Sequence, residues 1–386
     1  MRRAVSDTPR IVLIGCSFAG LELLYRYVRA RCRLGPGEIT VVEPRTHHPY
    51  IPLAHEAASG ATPPESLRFD IEAFCAAIGV SFVRGAAIAL DTTARVVHLE
   101  GGSVLSYDRL VVAVGSEPAI PAALAGRPLL PAKWLADALE VHERIRTLHL
   151  TTGAPAKLTI VGTGITGVEW AAEMAGSVIA GLRPAVTLIG EDARLLPSFP
   201  PGIAGRAGKV LGRLGVRCLL SRSVRDVAAD AVVLDDGERV ETDVTVWAGG
   251  VRPNELVRRL GLPLTPAGYV VVTPRLAVPG VAGVYAIGDA ARVVEGDIPW
   301  PTMERAIEAI WQGALLGRRL AARSADDQGP RHRLRRDFFY GLSLGPRHSL
   351  VLYGRWWVDS RIFVHFRRWL KWAYYARFRL LARSLG

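Results

Sequence analysis

The sequence predicts an α/β chain in which one strand, turn and helix unit occurs twice and a tail of different composition follows. Three observations predict it. The stretch RIVLIGCSFAG at 10–20 sets a run of apolar residues before a glycine turn and a helix. The stretch KLTIVGTGITGVEWAAEM from Lys157 repeats that plan, its Gly167 lying 147 residues after Gly20. The net charge of +12 is also localised: residues 331–386 carry 13 Lys and Arg against Asp337 and Asp359, and residues 1–330 are left with +1.

In the first unit Ile11–Ile14 read as a short buried parallel strand and Gly15 as a sharp turn. Gly20 falls in the first turn of a helix with Leu21, Leu24, Tyr25 and Val28 on one face. A glycine where the backbone turns tightly, and another where helix and strand pack closely, leave free N–H groups facing a pyrophosphate. Ser17 stands where a middle glycine is usual, so this unit alone is an imperfect cradle. After a turn at Gly35, Pro36 and Gly37, a strand at 39–42 ends in Glu43, placed to accept hydrogen bonds from a ribose 2′-OH.

The loop EPRTHHPYIPLAHEAASG has no regular period and reads as irregular chain with a short helix, in which His47 and His48 by themselves signify only loop polarity. Residues 80–99 alternate apolar and polar positions around Asp91 and Thr92, as an antiparallel β unit does. SYDRLVVAVG at 106–115 is a turn and a buried strand ending in glycine, and a proline-punctuated linker of helical character follows. The second unit has all three glycines, Gly162, Gly164 and Gly167. Its strand VTLIG, however, ends in Gly190 where the first unit has an acid. Glu191 is the residue expected to reach the ribose hydroxyls from one step further, while Arg194 suits a 2′-phosphate, so NADH is favoured and NADPH stays open. Residues 232–242 hold a DDG turn between β-like runs, DVTVWAGG is a strand ending in glycines, and AGVYAIGDAA ends a strand at Gly288 and Asp289. A helix is expected from near Thr302 to about Arg323, then a polar linker to Pro330.

Composition excludes several classes. Cys16, Cys32, Cys75 and Cys218 show no CxxC or CxxxxC spacing, so neither a metal site nor a redox disulfide is expected, and reduced thiols suit a cytoplasmic protein. The longest uncharged segment lies between Arg275 and Asp289, short of the roughly 18–20 apolar residues of a spanning helix. Neither a signal peptide nor an integral membrane protein is expected, nor, with the charge confined to the tail, a nucleic-acid-binding one.

Two dinucleotide-binding, Rossmann-like folds in series with AIGDA at a strand end resemble the two-dinucleotide-binding-domain flavoproteins. The ordered pieces HHPYIPL, YDRLVVAVG, GTGITGVEWAAE, LLPSF, VWAGGVRPN and VYAIGDAA look most like type II NADH dehydrogenases, single-chain peripheral enzymes passing electrons from NADH through FAD to quinone. The resemblance implies an FAD-binding domain at 1–117 and 263–325, a linker at 118–152, an NAD(P)H-binding domain at 153–262 and a membrane-associated segment at 331–386. It implies FAD along Gly15, Ser17, Phe18, Ala19 and Gly20, with Glu43 on the adenosine ribose and Asp289 on the ribityl chain. His48, Pro52 and Gly115 would line the flavin, and the helix from Thr302 would aim its positive end at the pyrimidine edge. NADH would lie across Gly162, Gly164, Ile165, Gly167, Glu191 and Gly249, with Glu169 orienting hydride transfer as the catalytic residue.

The chain departs from that family at the acceptor end: where two glutamines four apart are expected beside the quinone, it has Ile307 and Trp311. In the tail, Phe363, Phe366, Leu370, Ala373, Tyr374, Phe378 and Leu381 share one helical side and Arg361, Arg368, Lys371, Arg379 and Arg383 the other, with Arg367, Trp372 and Arg377 breaking the pattern. That form suits an anionic membrane interface, against the competing reading of a helix packed on the body or on a second copy as a homodimer. The sequence thus predicts a peripheral NADH dehydrogenase delivering electrons to a quinone, on the cytoplasmic face of the membrane. Its alternatives are a reductase of a soluble carrier or other small acceptor, and a low-turnover flavoprotein scaffold or sensor.

Overall fold

The computed structural model describes residues 9–31, 34–35, 37–295, 298–299, 304–322, 329–333, 335, 339–354 and 356–385. Strand β1 (Ile11–Ile14) is buried along its whole length and leads into α1 (Phe18–Arg31). Parallel strands β2 (Ile39–Glu43), β3 (Ser81–Arg84) and β4 (Arg109–Val112) join it, Ile11 standing opposite Ile39 on one side and Arg109 on the other. Only continuous apolar strands suit such a sheet, because helices cover its faces. The second sheet contains β5 (Leu130–Pro131), β6 (Lys157–Val161), β7 (Ala185–Gly190), β8 (Arg217–Leu220) and β9 (Val244–Trp247) in the order β5-β9-β6-β7-β8, all parallel. Strand β10 (Val284–Ala286) then returns to the first sheet, completing the order β10-β4-β1-β2-β3. In each sheet the strand order reverses beside the strand that carries the glycine turn, and there the strands' carboxyl ends open a crevice.

The helices follow from their apolar spacing. Helix α2 (Ala54–Ala58) and α3 (Ile71–Ala77) are short, α3 being capped by Asp70, whose carboxylate accepts from the Ala73 amide at 2.8 Å. The expected linker holds an 18-residue helix, α4 (Leu135–Thr152), closed by left-handed Gly153. Helix α5 (Ile165–Gly176) follows the second glycine turn, and α6 (Pro201–Arg213) follows β7. Helix α7 (Ala306–Ala321) lies against α1 so closely that a Cβ on Gly313 would stand 2.2 Å from the Ala19 carbonyl oxygen and one on Gly317 2.5 Å from that of Leu23.

Some expectations change. Residues 80–99 do not form one antiparallel unit: β3 pairs parallel with β2, because its apolar residues complete the main sheet, and the antiparallel unit is Ala87–Asp91, Val96–Leu99 and Val104–Ser106. The helix expected from Thr302 starts at Ala306, since Arg305 is extended at φ −127°; Thr302 itself lies outside the described residues. The tail begins with an antiparallel sheet not expected from sequence, β11 (Phe339–Ser343), β12 (Ser349–Tyr353) and β13 (Trp356–Ser360), ahead of the 23-residue α8 (Phe363–Leu385).

Helix α8 divides its apolar residues between two faces. Tyr374, Tyr375 and Phe378 are buried on the body, whereas Phe366, Trp369, Leu370, Trp372 and Leu380 are exposed. The cations are divided too: Arg367 and Lys371 are buried, and Arg379 and Arg383 are exposed. Phe378 packs between Tyr25, Phe69 and Phe74, ring centroids about 5.5 Å apart, so its loss is worth about 3–5 kcal/mol. Arg377 stacks on Tyr374 and Phe378 and reaches the wholly buried Glu22 of α1 at 2.5 Å, where Arg26 also donates at 2.7 Å. The docked helix therefore neutralises a carboxylate inside the core. Replacing Arg377 by Leu should cost about 3 kcal/mol by leaving Glu22 one cation short, and adding Glu22→Gln should recover part of that, as read from denaturant midpoints of the two variants.

Candidate functional site

The first glycine turn is pressed against the end of β4. Gly15 has φ +90°, and a Cβ there would stand 2.5 Å from the Ala113 carbonyl oxygen; a Cβ on Gly20 would stand 2.5 Å from that of Gly15. Both positions admit only glycine, which brings the start of α1, Phe18 and Ala19, to the crevice. Glu43, at the end of β2, accepts from the Cys16 amide at 3.0 Å, and Arg45 donates to its other oxygen at 2.8 Å. Ser17 places its hydroxyl 3.1 Å from His48 Nδ1. Burial pulls His48 down to about 3, so the ring is neutral, and its Nε2 is buried without a partner. Pro52 is exposed on the same loop, and Gly115, at φ +73°, leaves open space where a side chain would be.

Asp289 sits in the short turn after β10 and accepts from the Ser116 hydroxyl at 2.7 Å, while Lys133 donates to the Ser116 carbonyl at 2.6 Å. The turn is held by Gln312, whose Oε1 accepts from the Gly288 amide at 2.7 Å and whose Nε2 donates to Glu308 at 3.3 Å. Burial lowers the pKa of Lys133, and the ammonium faces Asp289 and Glu304. Beside it, Ser116–Pro118 pairs antiparallel with Val251–Pro253, an arrangement that ties the two sheets together with an ion pair of 2.9 Å between Glu117 and Arg252.

The second turn is tighter. A Cβ on Gly162 would stand 2.4 Å from the Ala248 carbonyl oxygen, and one on Gly167 only 1.7 Å from that of Gly162. Gly164 is different: nothing stands within 4 Å of its Cβ direction, so its lack of a side chain serves open space at the start of α5, where Ile165 is the first helical residue. Gly249 lies against the Trp247 ring, 2.7 Å from it at a Cβ position. Glu191 is exposed.

Glu169 of α5 is bound by the tail. The Ser343 amide donates to it at 2.9 Å and the Arg367 guanidinium stands 3.8 Å away. Burial pushes its carboxyl up to about 7 against those two influences, and Glu173, one turn on and hydrogen-bonded by Ser59 at 2.9 Å, is pushed to about 7 by burial and by Glu56. Arg367 also donates to Glu56 at 3.1 Å and to the Ser343 hydroxyl at 2.9 Å, and Arg368 donates to Glu56 at 2.8 Å. Ile307 and Trp311 are half-buried on α7, with the Arg335 guanidinium 4.3 Å over the Trp311 ring. No group of three His, Cys, Asp or Glu able to hold a metal occurs among the described residues.

Lys133, Arg45 and Ser343 were not singled out from sequence, and Arg367 was named only as a break in the tail's pattern. For Arg367 a signal existed, since it interrupts the apolar side of the tail helix, and a cation in that place is buried and paired. Lys133, a lone cation in a proline-rich linker, offered none.

Two glycine-turn folds in series are the architecture of a protein that binds two dinucleotides. The sequence profile of the pyridine nucleotide-disulphide oxidoreductases matches residues 9–313, and the chain belongs to that family, whose members use a flavin and a nicotinamide nucleotide. Within it the chain groups with the type II NADH dehydrogenases. It is 30% identical over 297 residues to an NADH dehydrogenase-like protein of Mycobacterium tuberculosis, covering 73% of this chain and 72% of the relative. It is 29% identical over 350 residues to the type II NADH:quinone oxidoreductase Ndh of the same organism, covering 81% and 71%. The internal alternative NAD(P)H-ubiquinone oxidoreductase A1 of Arabidopsis thaliana mitochondria is 27% identical over 331 residues, and the match spans 75% of this chain but only 62% of the plant protein. Among solved structures, NDH2 from Plasmodium falciparum in complex with NADH superposes with a TM-score of 0.83 over 97% of each chain at 14% identity, a likeness of fold.

Two outcomes test the site. Gly164→Ala should leave the unfolding midpoint in place, because the Cβ meets nothing, yet weaken nicotinamide nucleotide binding by about tenfold in a fluorescence titration, because the Cβ fills the approach to the helix start. For Glu173, the folded pKa near 7 lies above the ordinary 4.5, so the native protein holds more protons and stability falls as pH rises between those values. Glu173→Gln should flatten that fall, measured as the difference in Tm between pH 5 and pH 8.

Proposed function

We propose that the chain is a peripheral-membrane FAD oxidoreductase that takes hydride from NADH and delivers electrons to a quinone. The observation that carries this reading is the pair of glycine-walled crevices tied together at Ser116–Pro118 and Val251–Pro253, with a carboxyl of near-neutral pKa on α5. The residues fit the cofactor: backbone without side chains at Gly15, Gly20 and Gly115, a buried acid at Glu43, and an unpartnered His48 Nε2. Bound FAD would supply the two-electron acceptor chemistry.

The chain's own residues then bind and orient. In the 1–117 and 263–325 domain, Gly15, Ser17, Phe18, Ala19 and Gly20 would hold the pyrophosphate, Glu43 the adenosine ribose, and Asp289 with Lys133 and Ser116 the ribityl side. His48, Pro52 and Gly115 would line the ring. In the 153–262 domain, Gly162, Gly164, Ile165, Gly167 and Gly249 would hold NADH. Glu169 keeps or releases a proton at its carboxyl near pH 7, and Arg367 fixes its orientation through Ser343 and Glu56.

At the acceptor end, Ile307 and the Trp311 ring, one face of which carries the Arg335 guanidinium, would contact a lipid-soluble ring and tail. No described helix is long and apolar enough to cross a membrane. The exposed face of α8 with Phe366, Trp369 and Trp372, together with exposed Trp356 and Trp357 of β13 and cationic Arg379 and Arg383, supports seating on an anionic surface, the cytoplasmic face where NADH is available.

The test is anaerobic stopped-flow mixing of the purified flavoprotein with NADH, then with quinone in anionic vesicles. Rapid flavin bleaching followed by rapid reoxidation is expected, with a pH profile inflecting near 7 that disappears in Glu169→Gln. Trp369→Ser with Trp372→Ser should abolish vesicle flotation while leaving bleaching intact. Bleaching without reoxidation by quinone would turn the reading to a soluble acceptor, and no bleaching would end it.

A further inference from the structure

We propose that Asp192 is the carboxylate that grips the adenosine ribose in the second crevice, and that it makes this crevice select NADH over NADPH; this rests on reading that crevice as the nicotinamide nucleotide site. The first fold provides the pattern. Its ribose acid, Glu43, is the last residue of β2, and its carboxylate is hung on the amide of Cys16, the residue directly after the first glycine, at 3.0 Å.

In the second fold the equivalent strand end is Gly190, and a side chain is excluded there. A Cβ would stand 2.5 Å from Cγ2 and 2.6 Å from Oγ1 of Thr163. Thr163 directly follows Gly162, as Cys16 follows Gly15. Its hydroxyl donates to Asp192 Oδ2 at 3.3 Å. A carboxylate therefore hangs on the same residue of the turn in both folds. In the second it arrives from two positions further along the chain and is held by a side-chain hydroxyl in place of a backbone amide.

The loop that delivers Asp192 is fixed at several points. The Asp192 carbonyl accepts from the Ser221 amide at 3.0 Å, the Gly190 carbonyl from the Arg222 amide at 3.0 Å, and the Thr163 carbonyl from the Leu196 amide at 2.9 Å. Asp192 is exposed and only its Oδ2 is engaged by Thr163, which leaves the carboxylate capacity to accept from a ribose hydroxyl.

The neighbouring cations are already committed. Arg194 donates through Nη1 to the Phe199 carbonyl at 2.7 Å and through Nη2 to the Pro197 carbonyl at 2.5 Å, folding its guanidinium into its own loop. Arg222 is paired with Asp236 and Glu238. A 2′-phosphate would thus meet the carboxylates of Asp192 and Glu191 without either guanidinium to receive it. Glu191, the residue favoured on sequence, makes no contact with the turn among the described residues and contributes charge only.

The experiment is anaerobic bleaching of the intact flavoprotein over a range of NADH and NADPH concentrations, giving an apparent Kd and a limiting rate for each. The wild type should bind NADH about 100-fold more tightly than NADPH. Asp192→Asn should raise the NADH Kd by about 10-fold and collapse the ratio, with the limiting rate held, since ribose contacts lie far from the hydride. Thr163→Val, which frees the carboxylate without removing it, should show a smaller loss of the same kind. Unchanged flavin absorbance and Tm would show that the variants fold. A ratio that survives Asp192→Asn, or that collapses in Glu191→Gln instead, would overturn the assignment alone. Wild-type protein bleached by neither nucleotide would overturn it together with the reading of the crevice.

Discussion

The constraint on which the rest of the structure depends is the closeness of two backbone turns to the carbonyl ends of neighbouring strands. At Gly15 and Gly162 the chain passes so near the Ala113 and Ala248 carbonyl oxygens that even a methyl group would overlap them. Because each turn is held against its sheet, the helix that follows starts at a fixed place with its free amides facing outward. The acids then have a defined anchor in the residue after the first glycine. Helix start and acid position are consequences of one packing contact made twice.

The tail ties these two folds together. Arg367 is buried with Glu56 and near Glu169, and such an arrangement gains less from Coulomb attraction than its removal from water costs unless hydrogen bonds complete it. Here the Ser343 hydroxyl and the Arg368 to Glu56 bond do so. The same segment seats Phe378 and Arg377 against α1 and α3. Removing the tail would therefore leave Glu22 with Arg26 alone, take both arginines from Glu56, and uncover an aromatic face as well as detach a surface helix. The charge of Glu169 and the docking of α8 are coupled through Arg367.

Much of this was legible in the sequence where a periodic or glycine signal is local. The two parallel strands, both turns, Glu43 and the strand end at Asp289 follow from spacing alone, since their reasons are backbone reasons. The tail was read less well, for a physical cause. A helical wheel assumes one apolar face, whereas α8 buries one side in the protein and leaves a second apolar side exposed, so its pattern was the sum of two. Arg367 and Arg377, read as interruptions, are the ion-pairing residues of the buried side. The sheet β11 to β13 has turn residues at Gly345, Pro346 and Gly354, but its strands lie in a basic, aromatic stretch that was read only for its composition. Lys133 and Asp192 depend on distances between segments far apart in sequence or on one side chain's exclusion of another.

Helix α7 shows why Ile307 and Trp311 need not be polar. Its glycines face α1, and its buried polar residues, Glu308 and Gln312, are turned to the Gly288 turn, where they hold the strand end that presents Asp289. Helical geometry then leaves Ile307 and Trp311, each one position earlier, about 100° away on a different face. A polar group at 307 or 311 could not take over the bond to Gly288 without rotating the helix and driving Gly313 from the Ala19 carbonyl. These two positions are free to be apolar because the helix meets its structural demands elsewhere. Under the proposed function a lipid-soluble acceptor would meet Ile307 and the Trp311 ring there, and the polar work would stay with Glu169 and Arg367.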